Sequence, residues 1–233
     1  MNNSIKAAEP RRLYQQVADQ IRGLIQGGQL VPGARLPAER ELAQQLGVSR
    51  PSLREALIAL EIDGSVEIRM GSGIYVTAEP DRRQWQSGSM GESPLELMQA
   101  RATVEGAVIL LAAARVTPDF LKSLRQVLDQ MRTEITESRK PLDLDRLFHL
   151  TIANQSGNSV LAHIVGDLFD ERHSPMSAQI RTRFETPEPW TSALAEHEAI
   201  YSALEARNPL LAQTRMHAHL EESKQRWMNY ETR

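Results

Sequence analysis

Apolar residues recur at one-face helical spacing along most of this chain, and the pattern gives way to strict alternation in one short stretch. Leu13, Val17, Ile21, Leu24 and Ile25 mark a first helix that stops at Gly27-Gly28. Val31-Pro32-Gly33 reads as a turn, and Pro37 opens a second helix over about 38–46 with Leu42 and Leu46 on one face. Gly47 ends that helix. Ser49 is placed to cap a third, which carries Leu53, Leu57, Ile58 and Leu60 inward and ends near Gly64. The alternation follows: Val66-Glu67-Ile68 and Ile74-Tyr75-Val76 read as two short strands joined by the loop Arg69–Gly73.

Thr77 to Ser93 is polar, holds Pro80, Gly88 and Gly91, and reads as a linker. From Pro94 onward the period is helical again. Helices are expected over about 94–115, 118–138, 142–155, 158–172, 190–206 and 209–229. Pro118, Pro141, Gly157, the Pro175–Pro189 stretch and Pro209 are the breaks between them. The expected fold is mainly α. It has an N-terminal winged helix-turn-helix at 10–77 (three helices and a small β-hairpin), a linker at 78–93, and an all-α bundle of six to seven helices at 94–230.

Composition adds limits. At 233 residues the chain suits one large or two small domains. It has no cysteine, which fits a reducing compartment and excludes disulfides and thiolate metal sites. No apolar run approaches the ~18 residues of a membrane span, and MNNSIKAAEPRR lacks a signal-peptide core, so a cytoplasmic protein is expected. Net charge is −3, and residues 1–80 carry nine Lys/Arg against nine Asp/Glu. A positive surface in that segment must therefore come from placement rather than from total charge.

The N-terminal order points to double-stranded DNA. In a helix-turn-helix the second helix enters the major groove and its first residues meet the base edges. Here those residues are Ser49, Arg50, Ser52 and Arg54. Arg50 and Arg54 lie one turn apart, opposite Leu53 and Leu57, and arginine offers a two-pronged donor to guanine or phosphate. Ser49 and Ser52 reach phosphates, and Arg40 on the preceding helix points at the same backbone. The small tip Gly71-Ser72-Gly73 suits a minor groove. Taken singly, each arginine reads as a solvated surface charge.

The second constellation is C-terminal. Six histidines are present: His149, His163, His173, His197, His217 and His219. Asp145 and His149, four apart on one helix, share a face. His197 and His219 each stand eleven residues from Asn208, so an antiparallel hairpin brings them to one level. His217 sits about 200° around the helix from His219 and points elsewhere. Asp145, His149, His197 and His219 thus form a three-imidazole, one-carboxylate set that suits Zn, Ni, Mn or Fe, and the spacing does not choose among them. The bland alternative is a group of core histidines with ordinary hydrogen-bond partners.

The segment LPAERELAQQLGVSRPSLREAL with GSGIYV resembles the winged helix of the GntR family of bacterial transcription regulators. The resemblance implies DNA contacts from Arg40, Ser49, Arg50, Ser52, Arg54 and Gly71. Pro51 and Met70 depart from it, standing where polar or basic residues are common. DRLFHLTIANQSGN, EHEAIYSAL and RMHAHLEESKQRW resemble the FCD domain, the helical effector module of the FadR branch of that family. Many FCD members bind a divalent metal through one Asp and three His, which fall on Asp145, His149, His197 and His219. RRLYQQVADQIRGLI, PLELMQARATVEG and HLEESKQRW are most similar to the hexuronate-utilisation repressors of that branch.

The resemblance implies a homodimer on a palindromic operator, repressing sugar-acid catabolism genes, with a carboxylate or sugar-acid effector held at the metal. Arg101, with Glu105 one turn on, is the first candidate to neutralise the effector carboxylate, followed by Asn158 and Arg172. Alternatives are a different carboxylate effector (lactate, a dicarboxylate or an amino acid), the metal itself as signal, or a metalloenzyme with a DNA-binding domain. No nucleophile motif or second acid/base pair stands out, so a non-enzyme is expected.

Overall fold

The computed structural model describes residues 12–69, 71–77, 91–171, 174–184 and 188–228. They form two compact units, the first ending at Ser93 and the second starting at Pro94.

The first unit holds α1 (Leu13–Gln26), α2 (Glu39–Leu46), α3 (Arg50–Ile62), β1 (Val66–Arg69) and β2 (Gly73–Val76). In α1 the inward face is Tyr14, Val17, Ala18 and Ile21, while Leu13 is 48% exposed. The apolar stripe thus starts one residue later than its pattern implies, and the Tyr14 ring fills the core. Its hydroxyl still finds an acceptor, the Gly91 carbonyl at 3.0 Å. Gly47 adopts the left-handed conformation (φ 68°) that ends α2 and turns the chain into α3. Leu53, Leu57, Ile58 and Leu60 are buried, as the pattern requires.

β1 and β2 pair antiparallel in the register Val66↔Val76, Glu67↔Tyr75, Ile68↔Ile74 and Arg69↔Gly73. A third short edge joins them. Leu36 N–H donates to the Ile74 carbonyl (2.8 Å) and Val76 N–H to the Ala34 carbonyl (2.9 Å), so Arg35 stands beside Tyr75. The segment 33–36, expected as a turn and helix start, thus also completes the wing. Gly91–Ser93, expected as linker, folds back on this unit: Ser93 Oγ donates to both carboxylate oxygens of the buried Glu55 on α3, at 2.8 and 2.9 Å.

The second unit is all helix: α4 (Pro94–Ala113), α5 (Pro118–Thr136), α6 (Leu142–Gln155), α7 (Ser159–Asp170), α8 (Pro175–Phe184), α9 (Glu188–Glu205) and α10 (Pro209–Met228). Its core joins α4, α5, α6, α9 and α10 through Met98, Ile109, Leu124, Leu128, Phe148, Ile200, Leu204, Met216 and Leu220. A second cluster, Val108, Ala153, Ala162 and Val165, seats α7 on α4 and α6. α8 lies where a break was expected. The reason is local: Pro175 occupies the first turn, where no intrahelical N–H is needed, and Ser174 Oγ accepts from the Ser177 N–H at 3.3 Å. No helix among the described residues is long and apolar enough to cross a membrane.

Candidate metal centre and nucleic-acid interface

The candidate recognition surface lies at the start of α3. Ser49 caps this helix: its Oγ accepts from the Ser52 N–H at 3.2 Å and lies 2.8 Å from Ser52 Oγ. These contacts fix the first turn of the helix, on which Arg50 stands. Arg50 and Arg40 are exposed, with no hydrogen bond or ion pair among the described residues. Arg54 is held instead, its Nε donating to Glu39 of α2 at 2.7 Å. At the wing, Gly71 is exposed with φ 69°, and Arg35 lies across Gly73.

The bundle brings together four buried polar groups. Asp145 and His149 come from α6, His197 from α9 and His219 from α10. One ligand atom from each lies within 4.8 Å of the others. Asp145 Oδ1 stands 3.3 Å from His197 Nε2 and 3.8 Å from His149 Nε2, and the two Nε2 atoms are 3.4 Å apart. Ligands at about 2.1 Å from a tetrahedral ion stand roughly 3.4 Å apart, so these separations fit one. The ring centroids of His197 and His219 are 4.3 Å apart, the juxtaposition expected from equal distances to the Asn208 turn.

The outer faces of the rings explain the inner ones. His149 Nδ1 is hydrogen-bonded to Glu105 of α4, and His219 Nδ1 to Glu196 of α9 at 2.8 Å. A ring that donates from Nδ1 presents a bare lone pair at Nε2. Bare lone pairs facing a carboxylate in a dry interior repel one another unless a cation lies between them. Burial, then the neighbouring His197, push the His219 imidazolium down to about 3, so the ring is neutral and ready to ligate. His197 is also lowered, chiefly by burial. Burial opposes ionisation of Glu105, but Arg101 and His149 outweigh it and hold its carboxyl at about 2. The chemistry of the donor set and the spacing of its atoms both fit a divalent metal.

Comparison with known proteins decides the family. Residues 13–76 match the description "Bacterial regulatory proteins, gntR family", and residues 96–222 match the FCD domain. The chain belongs to the GntR family. It is a DNA-binding transcription regulator of the FCD-containing branch, and its relatives are regulators rather than enzymes. The Exu regulon transcriptional regulator of Escherichia coli K12 is 35% identical over 227 residues, 94% of this chain and 86% of that protein. The Uxu operon transcriptional regulator of the same strain is 35% identical over 231 residues, 96% of this chain and 90% of that protein. Among solved structures, a Streptococcus agalactiae GntR protein matches with a TM-score of 0.50 at 26% identity, over 91% of this chain and 99% of that one.

Within this GntR fold the residues singled out from sequence sort unevenly. Asp145, His149, His197 and His219 converge, and His217 is exposed, as the helical phase implied. Arg101 is buried: its Nε donates to Glu105 at 2.7 Å and its guanidinium lies 4.0 Å from the Phe169 ring centre, yet its Nη2 has no hydrogen-bond partner among the described residues. The same Phe169 ring lies 5.2 Å from His149 and so connects the arginine to the histidine cluster. Asn158 is exposed, and its Oδ1 caps α7 by accepting from Val160 and Leu161, so it belongs to the helix end rather than to the cluster. Ser52 is buried and its hydroxyl is engaged with Ser49, which makes it a cap partner. Arg172 and Met70 lie outside the described residues. Three neighbours of the Asp145/His149/His197/His219 cluster, Phe169, Glu105 and Glu196, had no assigned role there from sequence. Glu105 had a signal in its spacing from Arg101 and Glu196 in its place beside His197, but the contacts that all three make cross between helices.

Proposed function

We propose that this regulator represses sugar-acid (hexuronate) catabolism genes and senses its effector at a divalent metal, zinc first, held by Asp145, His149, His197 and His219. One observation carries the reading: a buried Asp/His₃ set lies beside Arg101, a buried arginine with an unpartnered Nη2. When bound, the metal supplies a Lewis-acid anchor for a carboxylate or hydroxyl oxygen. Arg101 keeps its Nε on Glu105 and turns Nη2 to the effector carboxylate, where a charge-assisted bond relieves an orphaned buried donor. Phe169 lines the space between the arginine and His149. The likeness to the Exu and Uxu regulators supports a hexuronate as that carboxylate.

On the output side, a homodimer reads a palindromic operator, because one recognition helix covers only a short half-site. Arg40, Arg50 and Arg54, with Ser49 at the helix start and Gly71 at the wing tip, make the contacts. Effector binding shifts the population between two arrangements of the dimer, which requires unequal affinity for the two.

The test is operator affinity measured with zinc-loaded protein against glucuronate, galacturonate, fructuronate, tagaturonate and lactate. A uronate is expected to change operator affinity, and Arg101→Ala to abolish that change while sparing metal content. Unchanged affinity with all four uronates defeats the hexuronate reading, and a response to lactate alone replaces it.

A further inference from the structure

Two carboxylates stand behind the four ligands, and each is tied into a chain of its own. Glu105 on α4 takes His149 Nδ1 with one oxygen and Arg101 Nε with the other, at 2.7 Å for the arginine. Glu196 on α9 takes His219 Nδ1 at 2.8 Å, and Arg226 of α10 with both guanidinium nitrogens at 2.6 and 3.0 Å. The third imidazole differs. His197 Nδ1 is buried without a hydrogen-bond partner among the described residues, and its ring is held between Phe148 at 4.5 Å and His219 at 4.3 Å.

We infer that Glu105 and Glu196 are positioning residues of the metal site, selecting the tautomer of His149 and His219 that points Nε2 inward. The inference rests on the metal reading above.

A plain role in burying charge predicts a different geometry. An arginine and a glutamate one helical turn apart and both nearly solvent-free satisfy each other best as a two-pronged pair. Here that pair is left incomplete: Arg101 Nη2 has no partner among the described residues, and the second Glu105 oxygen is on His149. The carboxylate is committed to the imidazole at the cost of its arginine. Glu196 repeats the arrangement from another helix, with Arg226 steadying the oxygen that the imidazole also uses. Carboxylates behind ligating histidines fix ring orientation and raise basicity, and their loss costs about 10–100-fold in metal affinity.

Zinc affinity of the full-length protein, read by chelator competition, tests this in Glu105→Gln and Glu196→Gln, with Glu198→Gln as control. Glu198 neighbours His197 in sequence but pairs with Arg125 and Arg132, at 2.7 and 2.5 Å. The expected result is a weakening of about 10–100-fold in each of the first two variants and none in the control. Native zinc affinity in folded Glu105→Gln and Glu196→Gln overturns the inference, as does equal weakening in Glu198→Gln. If the unsubstituted protein takes up no zinc, the metal reading fails as well, so the two failures are distinguishable. Long-range ¹⁵N–¹H correlation on metal-free native protein gives a second readout that no variant can spoil by misfolding. His149 and His219 are expected to carry their proton on Nδ1, and a proton on Nε2 in either ring overturns the assignment.

Discussion

Single side chains divide here into those that act by reaching outward and those that act by being held. Arg50 is the clearest of the first kind, exposed at the start of α3 without a partner among the described residues. Arg50→Ala is expected to cost about 1–3 kcal/mol of sequence-specific binding and to leave metal content untouched. Gel-shift titration on operator and scrambled DNA reads both terms, and retained discrimination removes Arg50 from the base contacts. Gly73 is of the second kind. Its φ of 123° disfavours any side chain, and an added Cβ would stand 2.5 Å from Arg35 Nε. The Arg35 side chain is able to swing away, but the backbone strain stays. Gly73→Ala should therefore lower the thermal stability of the winged unit by about 1–3 kcal/mol. An unshifted unfolding curve contradicts that account.

At the scale of elements, most of the chain was legible because caps and stops are local chemistry. Ser49 at the start of α3 and Gly47 at the end of α2 both do what their residue types predict. Ser49→Ala removes the oxygen that the Ser52 N–H donates to, at a cost of about 1 kcal/mol. Because Arg50 stands in the turn that this cap holds, operator affinity should fall together with stability, which paired calorimetry and binding titrations would detect. Two elements were not legible, for physical reasons. α8 was hidden by Pro175, which marks a break as readily as a helix start, and only the Ser174 cap and the burial of Met176 distinguish the two. The edge at 33–36 has no strand pattern of its own and exists because Ile74 and Val76 offer free backbone groups beside it.

For the molecule as a whole, the buried His219 and Glu105 point to a loss of stability in acid. His219 falls to about 3 in the fold, against 6.5 for an unperturbed ring, so the unfolded chain takes up its proton first. Stability is then greatest above about pH 6.5 and declines as pH drops toward 3. Glu105, held at about 2 against an ordinary 4.5, adds a loss in the same direction below pH 4.5. Metal-free protein should show a melting temperature that falls steadily on acidification below pH 6.5, and His219→Gln should flatten the upper part of that slope. A pH-independent melting temperature between 7 and 5 refutes the argument. Zinc at saturating concentration should raise the melting temperature at pH 7.5, since it binds only the folded arrangement of four residues drawn from three helices.

Sequence alone determined the order of elements, the helix start that carries Arg50, and the two pairs, Asp145/His149 and His197/His219, of the candidate ligand set. Each depends on spacing along one helix or across one tight hairpin, where position in the chain translates directly into position in space. Asp145 and His149 share a face at four residues' separation, and His197 and His219 meet because they are equidistant from the Asn208 turn. Tertiary structure brought the two pairs together and decided what surrounds them. That Tyr14 rather than Leu13 faces inward, that Ser93 binds Glu55, and that Glu105 and Glu196 stand behind the imidazoles all depend on packing between separate elements. Contacts of that kind leave no periodic trace, since the partners are set by which faces the cores bring together.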